Sequence, residues 1–316
     1  ASPEQIAEFP TTESLAFRHG MLATAQGPSI EVVDLASGKR ISAKLDVAEP
    51  DYVELMWGSG DQCLVYGALA AQGGAKAGKR YVELRVLDVS AAQTTGELAT
   101  IGRIVLDDVE SVSLLRYNED QKRLLLVPRG QHPVFMEIRF YDVASGQLVD
   151  TYPAEGQGDV LISPDGRYVL TEQFTDSGAQ FALYDLQAQG ETRPQVWPHE
   201  KGAYSMFPVW SPDGRQIAYL LRRNQEGKDD SVEALGLWVL DVASGQARRI
   251  LEEDSELSSL VGWTPEGEYV VGHYEADEAS YYYALRPDGG DRRILLLQTQ
   301  AHILGWMPVT TPGLSN

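Results

Sequence analysis

The chain has 316 residues, with 26 basic and 46 acidic side chains and a formal net charge of −20. Such a surface repels nucleic-acid phosphate and anionic lipid, because binding either one requires a concentrated basic patch. No apolar run reaches the roughly 18 residues that a membrane-spanning helix needs. The sequence therefore predicts an acidic globular protein that does not bind nucleic acid and has no membrane span.

Short extended segments alternate with polar turns along the whole chain, in six repeats. The first turn of each repeat reads, in chain order, Arg18-His19-Gly20, Gly58-Ser59-Gly60-Asp61, Asn118-Glu119-Asp120-Gln121, Ser163-Pro164-Asp165-Gly166, Ser211-Pro212-Asp213-Gly214 and Thr264-Pro265-Glu266-Gly267. In the Ser-Pro-Asp-Gly form, proline presets φ for a turn and glycine accepts a positive φ. Each of these turns is therefore predicted to join two antiparallel strands.

A second turn follows in five of the six repeats and contains an aspartate. Its copies are Asp34-Leu35-Ala36-Ser37-Gly38, Asp142-Val143-Ala144-Ser145-Gly146 and Asp241-Val242-Ala243-Ser244-Gly245, with degenerate forms at Asp88-Val89-Ser90 and Asp185-Leu186-Gln187. Leu285 takes this place in the sixth repeat. Two hairpins per repeat give four strands, which need roughly 40 residues, the length of one β-propeller blade. Residues beyond that length are expected to form loops.

The fold class predicted from this pattern is all-β, a six-bladed β-propeller of four-stranded antiparallel blades in one domain, 1–316. The segment Ala301–Pro308 looks like the opening strand of a further repeat. Propellers close by letting one chain end donate a strand to the blade begun by the other, which removes exposed edges. A seventh blade built from both chain ends, with Ser14–Phe17 contributing, is the alternative.

The fifth repeat resembles those of the TolB-like propellers, which carry a "W-SPDG-IA" word followed by "LW-D-SG". The matching residues are Trp210, Ser211-Pro212-Asp213-Gly214, Ile217-Ala218, Leu237-Trp238, Asp241 and Ser244-Gly245. The fourth repeat is similar, the sixth matches in part, and the first three keep only the second turn. The resemblance implies a fold that serves many unrelated functions. Together with a first residue, Ala1, that could follow signal-peptide cleavage, it favours the periplasm, the cell envelope or secretion.

Catalytic motifs are mostly missing from the sequence. Gly58-Ser59-Gly60 lacks the spacing of a serine-hydrolase elbow, and the five histidines are scattered without a zinc-binding pair. The single cysteine, Cys63, is expected to be buried and inert. We therefore predict no catalytic residues, no resident metal and no cofactor, although one acidic loop has the oxygen-rich composition that Ca²⁺ prefers.

Candidate partner-binding residues lie in the connections between the second and third strands of the blades. These connections are the longer ones and are predicted to lie opposite both turns, and long loops on a rigid scaffold commonly serve recognition. The candidates are Arg222, Arg223, Glu226, Asp229 and Asp230 in one connection and His273, Glu275 and Asp277 in the next. The alternative interpretation of each is a solvated charged loop without a ligand.

The predicted function is binding of a protein or peptide, without catalysis, through the long-loop rim and the channel mouth. One alternative is a propeller enzyme of the lyase or hydrolase type, which requires His, Asp or Glu side chains meeting around a metal in the channel. The propeller could also accompany a hydrolase domain, as in the prolyl oligopeptidase family. A third alternative is the sensor or ligand-binding ectodomain of a longer membrane protein.

Overall fold

The computed structural model describes residues 14–47, 50–71, 80–107, 109–129, 135–155, 157–175, 178–188, 193–224, 232–251, 257–276, 279–290 and 292–297. Within these ranges the chain forms six antiparallel sheets of four strands each. The chain divides into two compact units, with the boundary between Pro153 and Ala154. The expectation of one domain over 1–316 stays a prediction.

The first unit contains three sheets, each built from strands that are consecutive in the chain. The first sheet comprises β1 (Ser14–Arg18), β2 (Met21–Gln26), β3 (Ser29–Asp34) and β4 (Arg40–Lys44). The second comprises β5 (Tyr52–Trp57), β6 (Cys63–Ala71), β7 (Arg80–Asp88) and β8 (Ala99–Asp107). The third comprises β9 (Ser111–Asn118), β10 (Arg123–Arg129), β11 (Phe135–Asp142) and β12 (Gln147–Glu155).

The second unit contains the remaining three sheets. The fourth sheet comprises β13 (Gln157–Ile162), β14 (Tyr168–Thr175), β15 (Gly178–Asp185) and β16 (Gln195–Pro198). The fifth comprises β17 (Ala203–Trp210), β18 (Gln216–Asn224), β19 (Val232–Asp241) and β20 (Ala247–Leu251). The sixth comprises β21 (Ser259–Trp263), β22 (Val270–Ala276), β23 (Ala279–Leu285) and β24 (Arg292–Leu297).

Six four-stranded antiparallel blades confirm the predicted fold class, the six-bladed β-propeller. The described ranges hold no seventh sheet, and Ala301–Pro308 lies outside them. Both kinds of turn occupy the predicted places, the first between strands one and two of a sheet and the second between strands three and four. They therefore share one end of each sheet. We call the opposite end, where the second strand ends and the third begins, the loop end.

The Ser-Pro-Asp-Gly turns are held by hydrogen bonds within the turn itself. The Ser163 hydroxyl donates to Asp165 at 2.5 Å and accepts from the backbone N–H of Tyr168 at 2.9 Å. Gly166, at φ 76°, donates its N–H to the Ser163 carbonyl. A side chain at this φ would be strained, which is why glycine occupies the position. Such a turn forms from its own residues and can be predicted from them.

The second kind of turn is equally local. In the third sheet, one oxygen of Asp142 accepts from the backbone N–H of Ser145 at 2.8 Å and from its hydroxyl at 2.6 Å. These hydrogen bonds hold the pKa of Asp142 below its ordinary value. The Asp241 carboxylate makes the same pair of bonds to Ser244, with the same effect on its pKa.

The first turns of the first three sheets lack the Ser-Pro-Asp-Gly sequence and are held by contacts with one another. Arg18 donates to the Ser59 carbonyl at 3.0 Å, and the Ser59 hydroxyl accepts from the backbone N–H of Glu119 at 3.2 Å. The Glu119 carboxylate accepts from the N–H of Gln62 and of Cys63, both at 3.1 Å. Residues 41 to 60 positions apart therefore replace the local bonds of a Ser-Pro-Asp-Gly turn.

A short helix follows Asp88, where the sequence predicted a hairpin turn. Helix α1 (Val89–Thr95) has Asp88 as its N-cap, whose side chain accepts from the N–H of Ala91 at 2.7 Å, and Gly96 as its C-cap at φ 81°. The degenerate turn lacks the Ser-Gly pair of its intact copies and has the helix formers Ala91 and Ala92 instead. The predicted hairpin turn is therefore replaced by a capped helical turn at this one position.

Apolar side chains fill the space between neighbouring sheets of each unit. Two tryptophans also link neighbouring sheets through their indole N–H groups. The indole N–H of Trp57 donates to the Ala16 carbonyl at 3.1 Å, and that of Trp263 donates to the Val209 carbonyl at 3.2 Å. Trp306 lies outside the described ranges. Cys63 is buried, as predicted, and burial raises the pKa of its thiol to about 12, which disfavours the reactive thiolate.

Candidate functional site

The candidate residues that the structure describes belong to the fifth and sixth sheets, in the second unit. Arg222 and Arg223 lie near the end of β18, and His273 and Glu275 lie in β22. Glu226, Asp229, Asp230 and Asp277 fall outside the described ranges. For Glu275 the structure describes the backbone, which pairs with Ser280 of β23.

Arg223 binds two carboxylates beside it. Its Nη2 lies 2.9 Å from Glu200 Oε2, its Nη1 lies 3.4 Å from Glu233 Oε2, and its Nε donates to the Lys201 carbonyl at 3.2 Å. The guanidinium is one-third exposed and its charge is balanced by these neighbours. Pairs of this kind contribute little to stability, so Arg223 and its two glutamates are available as a charged surface.

Arg222 and His273 converge on one short segment before β21. Arg222 Nη2 donates to the Leu257 carbonyl at 2.8 Å, and the N–H of Ser258 donates to the His273 carbonyl at 2.8 Å. The His273 ring is buried and lies 4.8 Å from the Tyr282 ring. A buried imidazole offers a partner little surface, so these two residues support the fold of the loop end.

Glu172 of β14 links the fourth sheet to the fifth. Its Oε1 accepts from the backbone N–H of Ser205 at 2.6 Å and from the Ser205 hydroxyl at 2.7 Å. His199 Nε2 lies 3.2 Å from the same oxygen. The Glu172 side chain is 12% exposed and that of His199 is 3% exposed. One buried carboxylate oxygen therefore meets three polar groups, while Oε2 has no hydrogen bond to a residue in the described ranges.

Strand β17 departs from regular pairing directly after Ser205. The register with β18 shifts between Met206 and Val209, and Phe207 adopts a left-handed φ of 53°. Pro208 has no N–H to give to the sheet, so it favours such an irregularity. A bulge redirects the side chain at its centre. Phe207 is consequently 36% exposed, midway along β17.

A cavity of about 150 Å³ lies between the fourth and fifth sheets at this bulge. Its lining residues are Leu170, Thr171, Glu172, Phe181, Ser205, Met206, Phe207 and Pro208. The buried Phe181 ring packs edge-on against His199 at 4.6 Å and against Tyr219 at 5.0 Å, which makes that wall rigid. We call this cavity the Glu172 pocket.

Large apolar side chains are exposed around the Glu172 pocket. Phe174 is two residues beyond Glu172 on β14 and therefore on the same face of the strand. It is 53% exposed, and Val232 at the start of β19 is 44% exposed. Phe174 and Phe207 thus give the fourth and fifth sheets two exposed aromatic side chains, whereas Val232 pairs with Asn224 and lies on the opposite face of the fifth sheet from Arg223 and Glu233. Exposed apolar surface rimmed by polar groups is typical of an interaction site.

None of the residues of the Glu172 pocket was singled out from the sequence. One signal was available: Glu172 continues the apolar run Tyr168–Thr171, on the strand face that also carries Leu170. A carboxylate at a buried position must find hydrogen-bond donors. The positive φ at Phe207 left no comparable signal, because an aromatic residue before proline favours extended backbone.

In the part of the chain that the structure describes, no group of three or more His, Cys, Asp or Glu side chains is arranged to hold a metal ion. No helix there is long and apolar enough to cross a membrane.

No protein-family model matches the chain. Over 72 residues it is 33% identical to the probable chloroplastic glutamyl endopeptidase of Oryza sativa subsp. japonica. That match covers 22% of this chain and 8% of the rice protein. The similarity is therefore confined to a small part of both.

Solved structures similar to this chain include several β-propellers. Oligogalacturonate lyase in complex with manganese matches with a TM-score of 0.60 at 13% identity, over 84% of this chain and 74% of that one. The β-propeller domain of the Trilobed protease from Pyrococcus furiosus, which has an open velcro topology, matches with a TM-score of 0.57 at 13% identity. That match covers 92% of this chain and 85% of the protease domain. TolB from Acinetobacter baumannii matches with 0.49 at 16% identity, over 86% of this chain and 60%, less than two thirds, of that one.

At these identities the likeness shows the fold alone. The TolB-like resemblance of the repeats thus holds at the level of the β-propeller fold. Similar structures include a lyase and the propeller domain of a protease, and a shared fold does not by itself assign a function.

Proposed function

We propose that this chain is a non-catalytic β-propeller of the cell envelope or extracellular space that binds a protein or peptide. The binding surface is the loop end of the second unit, and no cofactor takes part. The observation that supports this most directly is the exposure of Phe174 and Phe207 on the fourth and fifth sheets, the latter of which also carries the charged group around Arg223. Aromatic residues in the centre and charged residues at the edge are the usual composition of a protein interface.

The energetics of this surface favour a partner that covers the two phenylalanines. Burying a phenylalanine side chain contributes about 1.5–3 kcal/mol relative to leaving it in water. Glu200 and Glu233 are 51% and 40% exposed, and their ion pairs with Arg223 would lie at the edge of the contact. Charges at such an edge mainly affect the association rate and its salt dependence.

Replacing both Phe174 and Phe207 by serine is expected to weaken partner binding at least tenfold. The matched control replaces Ile101 and Val105 of β8, each 45% exposed in the first unit, by serine. The measurement is quantitative capture of envelope and secreted proteins on the immobilised chain, compared among the wild type and the two variants. Equal capture by all three, or equal loss in both variants, would contradict the proposal.

The second candidate is the propeller portion of a larger peptidase, which the local similarity to the rice glutamyl endopeptidase favours. It predicts peptide cleavage by the longest product of the gene that includes this chain. Incubation of that product with a mixture of glutamate-containing peptides, followed by mass spectrometry, distinguishes the two. Detection of cleavage products would favour the peptidase over the binding protein. Intact peptides together with partner binding at the loop end would support the proposed function.

A further inference from the structure

We infer that the Glu172 pocket binds the ammonium group of a lysine side chain that the partner presents. This inference rests on the proposed function and specifies which chemical group the loop end recognises. It is carried by the open carboxylate oxygen, by the volume of the cavity and by its aromatic wall.

The carboxylate geometry selects an ammonium over a guanidinium. Oε1 of Glu172 already accepts from the N–H and hydroxyl of Ser205 and lies beside His199, which leaves Oε2 as the available acceptor. Arginine binds a carboxylate best through two parallel hydrogen bonds and needs both oxygens. An ammonium is compact and can donate to a single oxygen. A carboxylate with one open oxygen therefore suits lysine.

The volume of the pocket matches the same side chain. At about 150 Å³ it is smaller than the roughly 300–1,000 Å³ of pockets that enclose a drug-sized ligand. It corresponds to about five water molecules at roughly 30 Å³ each. A lysine side chain has five non-hydrogen atoms beyond Cα, so the alkyl stem and the ammonium fit without a second residue.

The walls of the pocket offer contacts for both the alkyl stem and the ammonium group of a lysine. Leu170, Met206 and Pro208 line the cavity with apolar surface, against which an alkyl stem can pack. Phe207 stands at the exposed side, where an aromatic ring attracts a passing cation. The chain's net charge of −20 also favours the approach of a basic partner.

Neither of the neighbouring arginines binds Glu172. Arg223 is held by Glu200 and Glu233. Arg222 donates to the carbonyl of Leu257, just before β21, on the other side of β18 from the pocket. Lysine binding therefore places a positive charge beside Glu172 without displacing either arginine from its partners.

The test uses Nα-acetyl-lysine N-methylamide as the probe, followed by two-dimensional NMR of the full chain. We expect saturable shifts of the Ser205 and Phe207 backbone signals at millimolar concentrations. The corresponding arginine compound should bind at least threefold more weakly. The Nε-acetylated lysine and norleucine compounds should give no saturable shift. Equal shifts with all four compounds, or none with the lysine compound, would overturn the inference.

Two variants connect the binding to the pocket. Glu172→Gln keeps an acceptor for Ser205 but removes the charge, and we expect at least a tenfold loss of affinity for the lysine probe. Phe207→Ala leaves Glu172 intact and should weaken binding by about threefold. Glu266→Gln changes the net charge by the same amount at an exposed position in the turn between β21 and β22, and should leave the affinity within twofold. A similar loss in Glu266→Gln and Glu172→Gln would attribute the binding to general charge and contradict the pocket.

The proposed function and the lysine inference can fail independently of each other. If a partner is captured through Phe174 and Phe207 but Glu172→Gln retains it fully, the lysine inference fails and the binding function stands. If the lysine probe binds the pocket but no partner depends on the loop end, the proposed function fails and the pocket stands.

Discussion

Replacing Glu54 by glutamine is expected to stabilise the folded chain by about 2 kcal/mol at pH 8 and to change its stability little below pH 5. Burial raises the pKa of the Glu54 carboxyl from 4.5 to about 7, and a hydrogen bond from the Leu114 backbone opposes this in part. Its Oε2 is buried without a hydrogen-bond partner among the residues that the structure describes. Ionised Glu54 therefore destabilises the folded state.

The direction of the pH dependence follows from proton binding. Because the folded state holds the Glu54 proton up to about pH 7 and the unfolded state releases it near 4.5, stability falls as the pH rises between these values. Each pH unit in that window corresponds to about 1.36 kcal/mol. Partial solvent exposure of the Glu54 side chain reduces the total change in unfolding free energy over this pH window, so we expect about 2 kcal/mol. Glutamine cannot ionise and still accepts from the Leu114 N–H.

Urea unfolding of the wild type and Glu54→Gln at pH 5 and pH 8 measures this difference. Glu97→Gln, at an exposed position after α1, removes the same charge and should stay within about 0.5 kcal/mol of the wild type at both values. A Glu54→Gln effect that is the same at pH 5 and pH 8 would show that the Glu54 charge is well solvated.

Features of this fold that can be predicted from sequence are those whose contacts are local. The Ser163 turn closes through bonds between residues no more than five positions apart, so its residues specify it wherever they occur. The Asp142 turn spans three positions. Repetition of such turns fixes the number of strands in each blade. The six-blade assignment followed from them before any contact between blades was known.

What the sequence could not reveal depends on residues distant in the chain. Glu172 meets Ser205 across 33 positions, and Glu119 meets Gln62 across 57. Neither partner is marked by a local motif. The Glu172 pocket also requires the bulge at Phe207, where tertiary contacts override the preference of a residue before proline for extended backbone. The loop end was correctly placed by topology, but its pocket arises from these distant contacts.

Charge runs were the weaker guide to individual site residues. The run from Arg222 to Glu233 drew attention because of its density of charge. In the structure, the two arginines at its start are engaged with Leu257, Glu200 and Glu233. Glu172, a lone acid in an apolar strand, has the open oxygen. A single buried charge indicates a specific environment more strongly than a solvated cluster does.

Replacing Glu83 by glutamine is expected to have the opposite effect from Glu54→Gln, a loss of about 3 kcal/mol at pH 7. Glu83 lies on β7 of the same sheet as Glu54 and is 3% exposed. Its Oε1 accepts from Arg85 Nε at 2.7 Å and from Arg103 Nε at 3.0 Å, and its Oε2 accepts from Arg103 Nη2 at 3.0 Å. Burial alone would raise the pKa of Glu83, but these hydrogen bonds outweigh it and lower the pKa.

The pH profile separates the two carboxylates. Because the folded pKa of Glu83 is lowered, its contribution is present above the unfolded value of 4.5 and is lost as the pH falls through the folded value. The deficit of Glu83→Gln should therefore shrink in acid, whereas the advantage of Glu54→Gln grows in base. Glu137→Gln, which breaks a more exposed pair with Arg139, should cost less than about 1 kcal/mol in the same urea titration. A Glu83→Gln deficit no larger than that of Glu137→Gln would mean that Arg85 and Arg103 do not depend on a buried countercharge.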